Sequence, residues 1–271
     1  MDRTIGVVSK IVLGVIVVVT LVPALLVIIV SFNPGAYVAF PPTGFSVEQY
    51  AKIFDGSTWV NAIQISILIG IACAVTSVVI ALPTIYVASR SDWSGRYIGI
   101  LLACVSILIP VSAYAVALYA TLGSYKLLGS VLGVVLSHVL LALPIVVVLL
   151  LTGISKVPRD LDLVARTLGA SRLNAAFSIT LKLLLPSIFV SLIAAFLTSF
   201  DEAVFVSFLG GIGITTLPKA VLESVKFGLD PVITAIGGLL IIFNGVLVIL
   251  RNAVDGRSAR KLKKARIHDD G

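Results

Sequence analysis

Two neighbouring carboxylates inside an apolar stretch are the residues of this chain best placed to do chemistry. Asp201 and Glu202 fall within residues 186–209, a segment that is otherwise almost entirely apolar. Burying a carboxylate in hydrocarbon is costly, so such residues face a bundle interior or a water-filled cavity. Together with the hydroxyl of Thr198, the pair predicts a path that attracts a cationic solute. The alternative is that one carboxylate pairs with a basic or hydroxyl group of a partner subunit and holds an assembly together.

The helix predicted over this stretch has two unlike faces. One face is small and polar: Ser191, Ala194, Ala195, Thr198, Asp201 and Glu202. The other face is aromatic and aliphatic, as suits contact with lipid: Phe189, Ile193, Phe196 and Phe200. The pattern predicts that the small face looks into the bundle or the translocation path. Counted from Pro186, Asp201 lies roughly 22 Å above the cytoplasmic end, in the outer half of the bilayer.

Composition places the whole chain in a membrane. Hydrophobic residues make up 59% of the 271 residues and charged residues only 12%, and the mean hydropathy is +1.14. A soluble domain of this length does not hide so much apolar surface. The net charge is +7, but the basic residues are dispersed in short loops without aromatic interleaving. We therefore expect no nucleic-acid partner, and we interpret the basic residues as topology signals.

Six apolar stretches are long enough to cross a bilayer, which requires about 20 residues per helix. They are residues 11–30, 62–88, 97–122, 131–151, 186–209 and 232–250. Most of the Lys and Arg residues lie in the two terminal segments and in alternate loops, all on one predicted side. The positive-inside rule then predicts that both termini are cytoplasmic. The sequence thus predicts an all-α, multi-pass membrane protein.

The loop of residues 155–185 has a helical pattern of its own. After Pro158, the apolar side chains of Leu161, Val164, Ala165 and Leu168 recur at helical spacing over residues 160–168. Asp160, Asp162, Arg166 and Thr167 occupy the remaining surface of this helix. Gly169 interrupts the pattern, and Ser171 is a predicted cap for a second helix. This helix–glycine–helix elbow either transmits force or packs on its own bundle as an ordinary interfacial helix.

Other side chains with chemical potential form no catalytic set. The chain contains no G-x-x-x-x-G-K-[ST] loop, no His/Cys metal pattern and no nucleophile–base constellation. We expect no enzyme activity, no metal and no cofactor in this chain. Cys73 and Cys104 fall in apolar stretches and are predicted free thiols. His138 is either a neutral core histidine or a proton relay.

The elbow also resembles a known motif. Residues 163–171, with Ile179, Leu181 and Pro186, are similar to the EAA loop of permease subunits in binding-protein-dependent ABC importers. The matching positions are Ala165, Gly169, Ile179 and Leu181, and the departures from the pattern are Leu163, Val164 and Lys182. Val30-Ser31-Phe32-Asn33 and residues 198–202 further resemble segments of the spermidine/putrescine permease subfamily.

The resemblance implies a type I importer transmembrane domain with a cytoplasmic coupling helix, in a bacterial inner membrane. It implies one domain over residues 1–271, with core spans in 62–250, a coupling loop at 155–185 and a basic cytoplasmic tail at 251–271. The implied partners are a second homologous permease, two cytoplasmic ATPase subunits that bind ATP and Mg, and an extracytoplasmic solute-binding protein. The implied coupling residues are Asp160, Asp162, Arg166, Gly169, Ala170 and Ser171.

The resemblance implies a polyamine or another cationic amine as the cargo. The alternative function is a self-contained secondary transporter of a cationic solute, driven by an ion gradient. In that case Asp201 or His138 would be the ion-coupled group. The sequence shows no pair of interrupted helices in matching halves, which many such transporters have.

Overall fold

Helices account for the regular structure, because a helix satisfies its own backbone polar groups where no water is available. The computed structural model describes residues 2–35, 37–55, 58–92, 94–227 and 230–242, and within these ranges it contains no strand. The helices are α1 (Asp2–Val30), α2 (Glu48–Phe54), α3 (Thr58–Arg90), α4 (Ile98–Cys104), α5 (Val111–Ser124), α6 (Val131–Ile154), α7 (Asp160–Thr167), α8 (Arg172–Ala175), α9 (Leu181–Phe200), α10 (Val204–Leu209), α11 (Leu217–Phe227) and α12 (Val232–Ile242). A 3-10 turn, Val105–Leu108, follows α4, and a π-helical turn, Ala176–Thr180, joins α8 to α9.

The chain divides into two compact units. The first contains α1, α2 and α12, and the second, Thr58–Glu223, contains α3 to α10 and most of α11. In the first unit, the Ser31 and Tyr50 hydroxyls lie 2.6 Å apart. The Asn33 amide donates to the carbonyl of Tyr37, and its oxygen accepts from the Thr43 backbone. Ser31 and Asn33, which the sequence singled out, therefore organise the turn after α1.

Three long helices, α3, α6 and α9, form the core of the second unit. Small side chains let them approach closely, as at Gly70 on α3, where an added Cβ would lie 2.8 Å from the Phe196 ring. Phe196, which the sequence pattern placed on the lipid-facing side, is half-buried and packs on α3. The buried face of α9 consists of Leu184, Ser191, Ala195 and Ser199. Of the aromatic and aliphatic face, Phe189 and Ile193 are exposed as expected.

Within the described residues, four helices are long and apolar enough to cross a membrane, or five if one bent pair counts as a span. They are Gly6–Val30, Thr58–Arg90, Val131–Ile154 and Arg172–Phe200. The predicted second span is longer than expected, and the fifth begins earlier, at Arg172. The sixth predicted span is described only to Ile242; its remaining residues, and the tail 251–271, lie outside the described ranges. The cytoplasmic placement of the termini stays a prediction.

The predicted third span is broken. Ile98–Leu108 and Val111–Ser124 meet at an angle of 113°. Pro110 is the reason, since proline has no backbone N–H and forces the preceding residue out of the helical conformation. Ile109 is indeed extended, with φ −101° and ψ 126°. The bend carries the 3-10 turn and Ser106 toward the site described below.

Candidate functional site

The acidic pair lies at a break between two helices. Helix α9 ends at Phe200, Asp201 is its C-terminal cap residue, and α10 begins at Val204. The prediction of one continuous helix over residues 186–209 is therefore wrong at the pair itself. The break has a local cause, because Glu202 Oε1 accepts hydrogen bonds from the backbone N–H groups of Val204, at 2.6 Å, and Phe205, at 3.0 Å. A carboxylate that satisfies the free N–H groups of a helix start favours starting a new helix there.

The break separates the roles of the two carboxylates. One oxygen of Glu202 is committed to the backbone of α10, and Glu202 is half-buried. Asp201 is exposed, and among the described residues its carboxylate has no hydrogen-bond or ion-pair partner. Asp201 is thus the carboxylate that is free to meet a solute. The two residues differ because only Glu202 caps the start of α10.

A cavity of about 580 Å³ opens at the break and contains all three residues of the predicted path, Thr198, Asp201 and Glu202. Its other lining residues come from α4, the 3-10 turn and α6: Cys104, Ser106, Ile107, Leu141, Pro144, Ile145 and Val148. The cavity thus combines one free carboxylate with hydroxyl groups and mostly apolar walls. Such walls suit a solute that carries positive charge on an aliphatic stem.

Two polar residues of this cavity were missed from the sequence. The hydroxyl of Ser106 is buried and has no hydrogen-bond partner among the described residues. Cys104 is a free thiol that is partly exposed, whereas the other free thiol, Cys73, is buried. Pro110 is the residue from which both could have been predicted. The bend at this proline turns the segment that contains Cys104 and Ser106 toward α6 and α9.

His138 lies in the core close to the break. It is fully buried on α6, and its Nδ1 lies 2.7 Å from the Ser199 hydroxyl. Its Nε2 has no partner among the described residues. The contact joins α6 to the last turn of α9, two residues before Asp201. This position agrees with a core histidine that fixes the end of α9.

The predicted elbow is a well-formed turn. Gly169 has φ +93°, a left-handed conformation that glycine adopts readily. The Gly169 N–H donates to the Arg166 carbonyl and the Ala170 N–H to the Ala165 carbonyl, which is the Schellman pattern of a helix end. Ser171 then caps α8 by accepting from the Asn174 N–H at 3.2 Å. Both the glycine break and the serine cap confirm the helix–glycine–helix geometry.

The sequence predicted Asp162 on the exposed surface of this elbow, and this prediction is wrong. It is only 8% exposed, and its Oδ2 lies 2.9 Å from Arg90 Nε at the end of α3. Arg90 Nε and Asp162 Oδ2 have no directed hydrogen bond, so this contact is an ion pair. Thr180 donates its hydroxyl to Asp162 Oδ1 at 2.7 Å. Asp162 therefore ties α7 to α3 and to the π-helical turn.

The other elbow residues face outward. Asp160, Arg166, Gly169 and Ser171 are exposed, and Ala170 is half-buried. The apolar stripe of α7 is exposed too, with Val164 at 56% and Leu168 at 83%. Asp162 attaches α7 to the bundle. The elbow thus presents a mixed apolar and basic surface.

Comparison with known proteins agrees with this architecture. The chain matches the model of a family described as "binding-protein-dependent transport system inner membrane component" over residues 5–260. The spermidine/putrescine transport system permease protein PotC of Haemophilus influenzae is 26% identical over 236 residues, which cover 86% of this chain and 90% of PotC. The putrescine transport system permease protein PotI of Escherichia coli K12 is 28% identical over 228 residues, 81% of this chain and 80% of PotI.

A solved structure shares the fold. It is a bacterial ABC transporter involved in the import of the acidic polysaccharide alginate, which aligns with a TM-score of 0.74 at 15% identity. The alignment covers 94% of this chain and 96% of that chain. These findings do not favour the self-contained, ion-coupled transporter. The chain therefore belongs to the family of binding-protein-dependent transport system inner membrane components and is a permease of the ABC importer type.

Proposed function

We propose that this chain is one of two permease subunits in an ATP-driven importer of polyamines or other cationic amines. In this proposal it crosses the bacterial inner membrane six times as a single domain, with both termini in the cytoplasm. A second homologous permease completes the path, two cytoplasmic subunits bind ATP and Mg and hydrolyse ATP, and an extracytoplasmic protein delivers the solute. The family match and the relatives named for spermidine and putrescine support this arrangement.

The observation that carries the cargo proposal is the cavity at the break between α9 and α10. Asp201 offers a carboxylate with no basic partner among the described residues, and the walls beside it are mostly apolar. An ammonium group of the solute is stabilised by the Asp201 carboxylate and by the hydroxyl groups of Thr198 and Ser106. The methylene groups of the solute lie against the apolar walls. An anionic solute would meet a charge of its own sign, the Asp201 carboxylate, and be repelled.

The elbow supplies the coupling surface in this proposal. Its exposed residues, including Leu168, Ser171 and Asp160, offer apolar contact and charge to an ATPase cleft. The helical segment Arg172–Phe200 continues for 29 residues from the elbow to the acidic break, through the π-helical turn Ala176–Thr180. At 1.5 Å per residue it is about 42 Å long. A displacement of the elbow by the closing ATPases is thereby carried to Asp201 along one helical rod.

The test is uptake of radiolabelled putrescine and spermidine by the complete transporter in proteoliposomes. We expect uptake that requires internal ATP and the solute-binding protein, with no ATP binding or hydrolysis by this chain alone. ATP hydrolysis should rise when the loaded binding protein is added. Uptake that persists without ATP, or robust hydrolysis by the isolated chain, would falsify the subunit assignment.

A panel of solutes tests the cargo separately. Amines, amino acids and inorganic anions are added one at a time with the binding protein, and the stimulation of ATP hydrolysis by each is recorded. Stimulation by amines alone supports the proposed cargo. Stimulation by anions and none by amines would contradict it, while leaving the permease role intact.

A further inference from the structure

A second cavity, of about 650 Å³, lies where the end of α3 meets α7 and α8. Its charged lining residues are Arg90, Arg159, Arg166 and Arg172, with Asp92 and Asp162. Four guanidinium groups around one space are unusual in a chain with so few charges. The elbow and the end of α3 thus enclose a basic cavity at one end of the membrane-crossing helices.

The positive charges of this basic cavity are only partly compensated. Asp162 neutralises Arg90. Asp92 is 95% exposed and lies 3.9 Å from Arg159 and 3.5 Å from Arg96, so each of these pairs is weak. Within the described part of the chain, no carboxylate lies within ion-pair distance of Arg166 or Arg172. The cavity therefore carries a surplus of positive charge and suits an anion.

An apolar groove of about 420 Å³ adjoins the basic cavity. It runs between α3 and the helix that follows the elbow, and it is lined by Val79, Leu82, Pro83, Leu173, Ala176, Phe177, Thr180, Leu181 and Leu184. Tyr86 lines both the groove and the basic cavity. The basic cavity and the apolar groove therefore meet at Tyr86.

We infer that this composite site binds an anionic phospholipid. Its phosphate would lie between Arg166 and Arg172, whose planar guanidinium groups match phosphate oxygens well. One acyl chain would occupy the apolar groove, beyond Tyr86. Basic pockets at the ends of membrane helices hold anionic headgroups in this way. The inference goes beyond the proposed function, because it depends on neither the cargo nor ATP.

The test uses the full chain in nanodiscs that contain equal amounts of phosphatidylglycerol and phosphatidylethanolamine. Native mass spectrometry of the released protein then counts the lipids that stay bound. We expect wild type to retain phosphatidylglycerol, and Arg166→Gln with Arg172→Gln to weaken this preference about 25-fold, a factor of about five for each charge. The matched control, Lys156→Gln with Lys182→Gln, removes two exposed charges that line neither the basic cavity nor the apolar groove. It should keep the preference for phosphatidylglycerol. An unchanged preference in the arginine variant would overturn the inference.

A second variant separates a lipid from free phosphate. Ala176→Leu narrows the groove without changing any charge, so it should release phosphatidylglycerol while leaving the arginines in place. Retention of the lipid by this variant, with displacement by inorganic phosphate, would assign the cavity to a small anion instead. Release of the lipid on assembly with the ATPase subunits would assign the arginines to an acidic side chain of the ATPase, and this result would also overturn the inference.

Discussion

Two aspartates, one in contact with the first part of the helical segment Arg172–Phe200 and one at its end, have opposite surroundings. Asp162 of α7 is buried, lies 2.9 Å from Arg90, and accepts a hydrogen bond from Thr180 of this helical segment. Asp201 caps the other end, is exposed, and has no partner among the described residues. Asp162 thus holds helices of the protein together, and Asp201 is available to a solute or a partner.

The difference shows how a carboxylate's neighbours decide its role. A buried ion pair resists the loss of either member, because the remaining charge is left without compensation. An exposed carboxylate in a cavity contributes little to folding, and its field acts on whatever enters. We therefore expect substitutions at Asp162 to affect stability and substitutions at Asp201 to affect transport.

The largest expected effect is that of Asp162→Asn. It leaves the Arg90 side chain, which is only 10% exposed, without a counter-charge, and breaking a buried pair in this way costs about 3–5 kcal/mol. The measurement is thermal unfolding of the purified chain in detergent, beside Asp160→Asn as the control. Asp160 is exposed on the same helix, so its change should lie within about 0.5 kcal/mol of wild type. Equal unfolding temperatures for the two variants would remove the structural role of Asp162.

Gly169→Val should have the next largest effect, and only at the elbow. A side chain at φ +93° costs about 1–2 kcal/mol of backbone strain, although a Cβ there would meet no atom within 4 Å. We expect the variant to reach the membrane but to show weakened ATPase association or ATP hydrolysis uncoupled from uptake. Gly213→Val, at an open position without a positive φ, is the control. Normal ATP-dependent uptake by Gly169→Val would contradict the elbow's role.

Asp201→Asn should reduce uptake of a labelled amine about tenfold, because the field of a negatively charged cleft raises the local cation concentration by at least that factor. Stability and recovery of the partner permease should not change. Asp55→Asn, which removes an exposed carboxylate outside the cavity, should leave uptake intact. If the variant instead loses its partner subunit on extraction, Asp201 belongs to a subunit interface. Its role would then be structural, like that of Asp162.

Glu202→Gln should have the smallest effect, about threefold on uptake. The glutamine oxygen can still accept from the Val204 and Phe205 N–H groups, so the start of α10 is kept while the charge is lost. Glu202→Ala removes the cap as well and should destabilise the break by about 1 kcal/mol. Comparing unfolding temperatures of the two variants separates capping from charge. A larger transport loss in Glu202→Gln than in Asp201→Asn would reverse the assigned roles.

Local signals predicted the elbow correctly, and distant contacts defeated the prediction for Asp162. Gly169 and Ser171 act on their own backbone, so their effect can be inferred from a few neighbouring residues. The burial of Asp162 depends on Arg90, far away in the sequence, and no spacing rule distinguishes it from exposed Asp160. Such pairs become visible only when the helices are packed.

The helix breaks at Pro110 and at Asp201 were not predicted, for a different reason. Hydropathy averages over a span and does not register a single interruption. Pro110 carried a clear signal for the bend, because its missing N–H and its effect on Ile109 are local. The break at Asp201 was subtler, since it follows from Glu202 reaching forward to two N–H groups. The sequence thus grouped Thr198, Asp201 and Glu202, which do line one cavity, whereas the contribution of Ser106 and Cys104 to that cavity was not predicted.

If Asp201 makes this cavity selective for cations, the thiol of Cys104 can report on the selectivity directly. In the assembled transporter with Cys73→Ser, Cys104 is the only thiol of this chain. We would measure the rates at which Cys104 is modified by a trimethylammonium and by a sulfonate methanethiosulfonate of similar size. We expect the cation-to-anion rate ratio to fall about tenfold or more in Asp201→Asn. We also expect putrescine to slow the reaction with the cationic reagent. An equal ratio with and without the Asp201 carboxylate would contradict the selective role of Asp201.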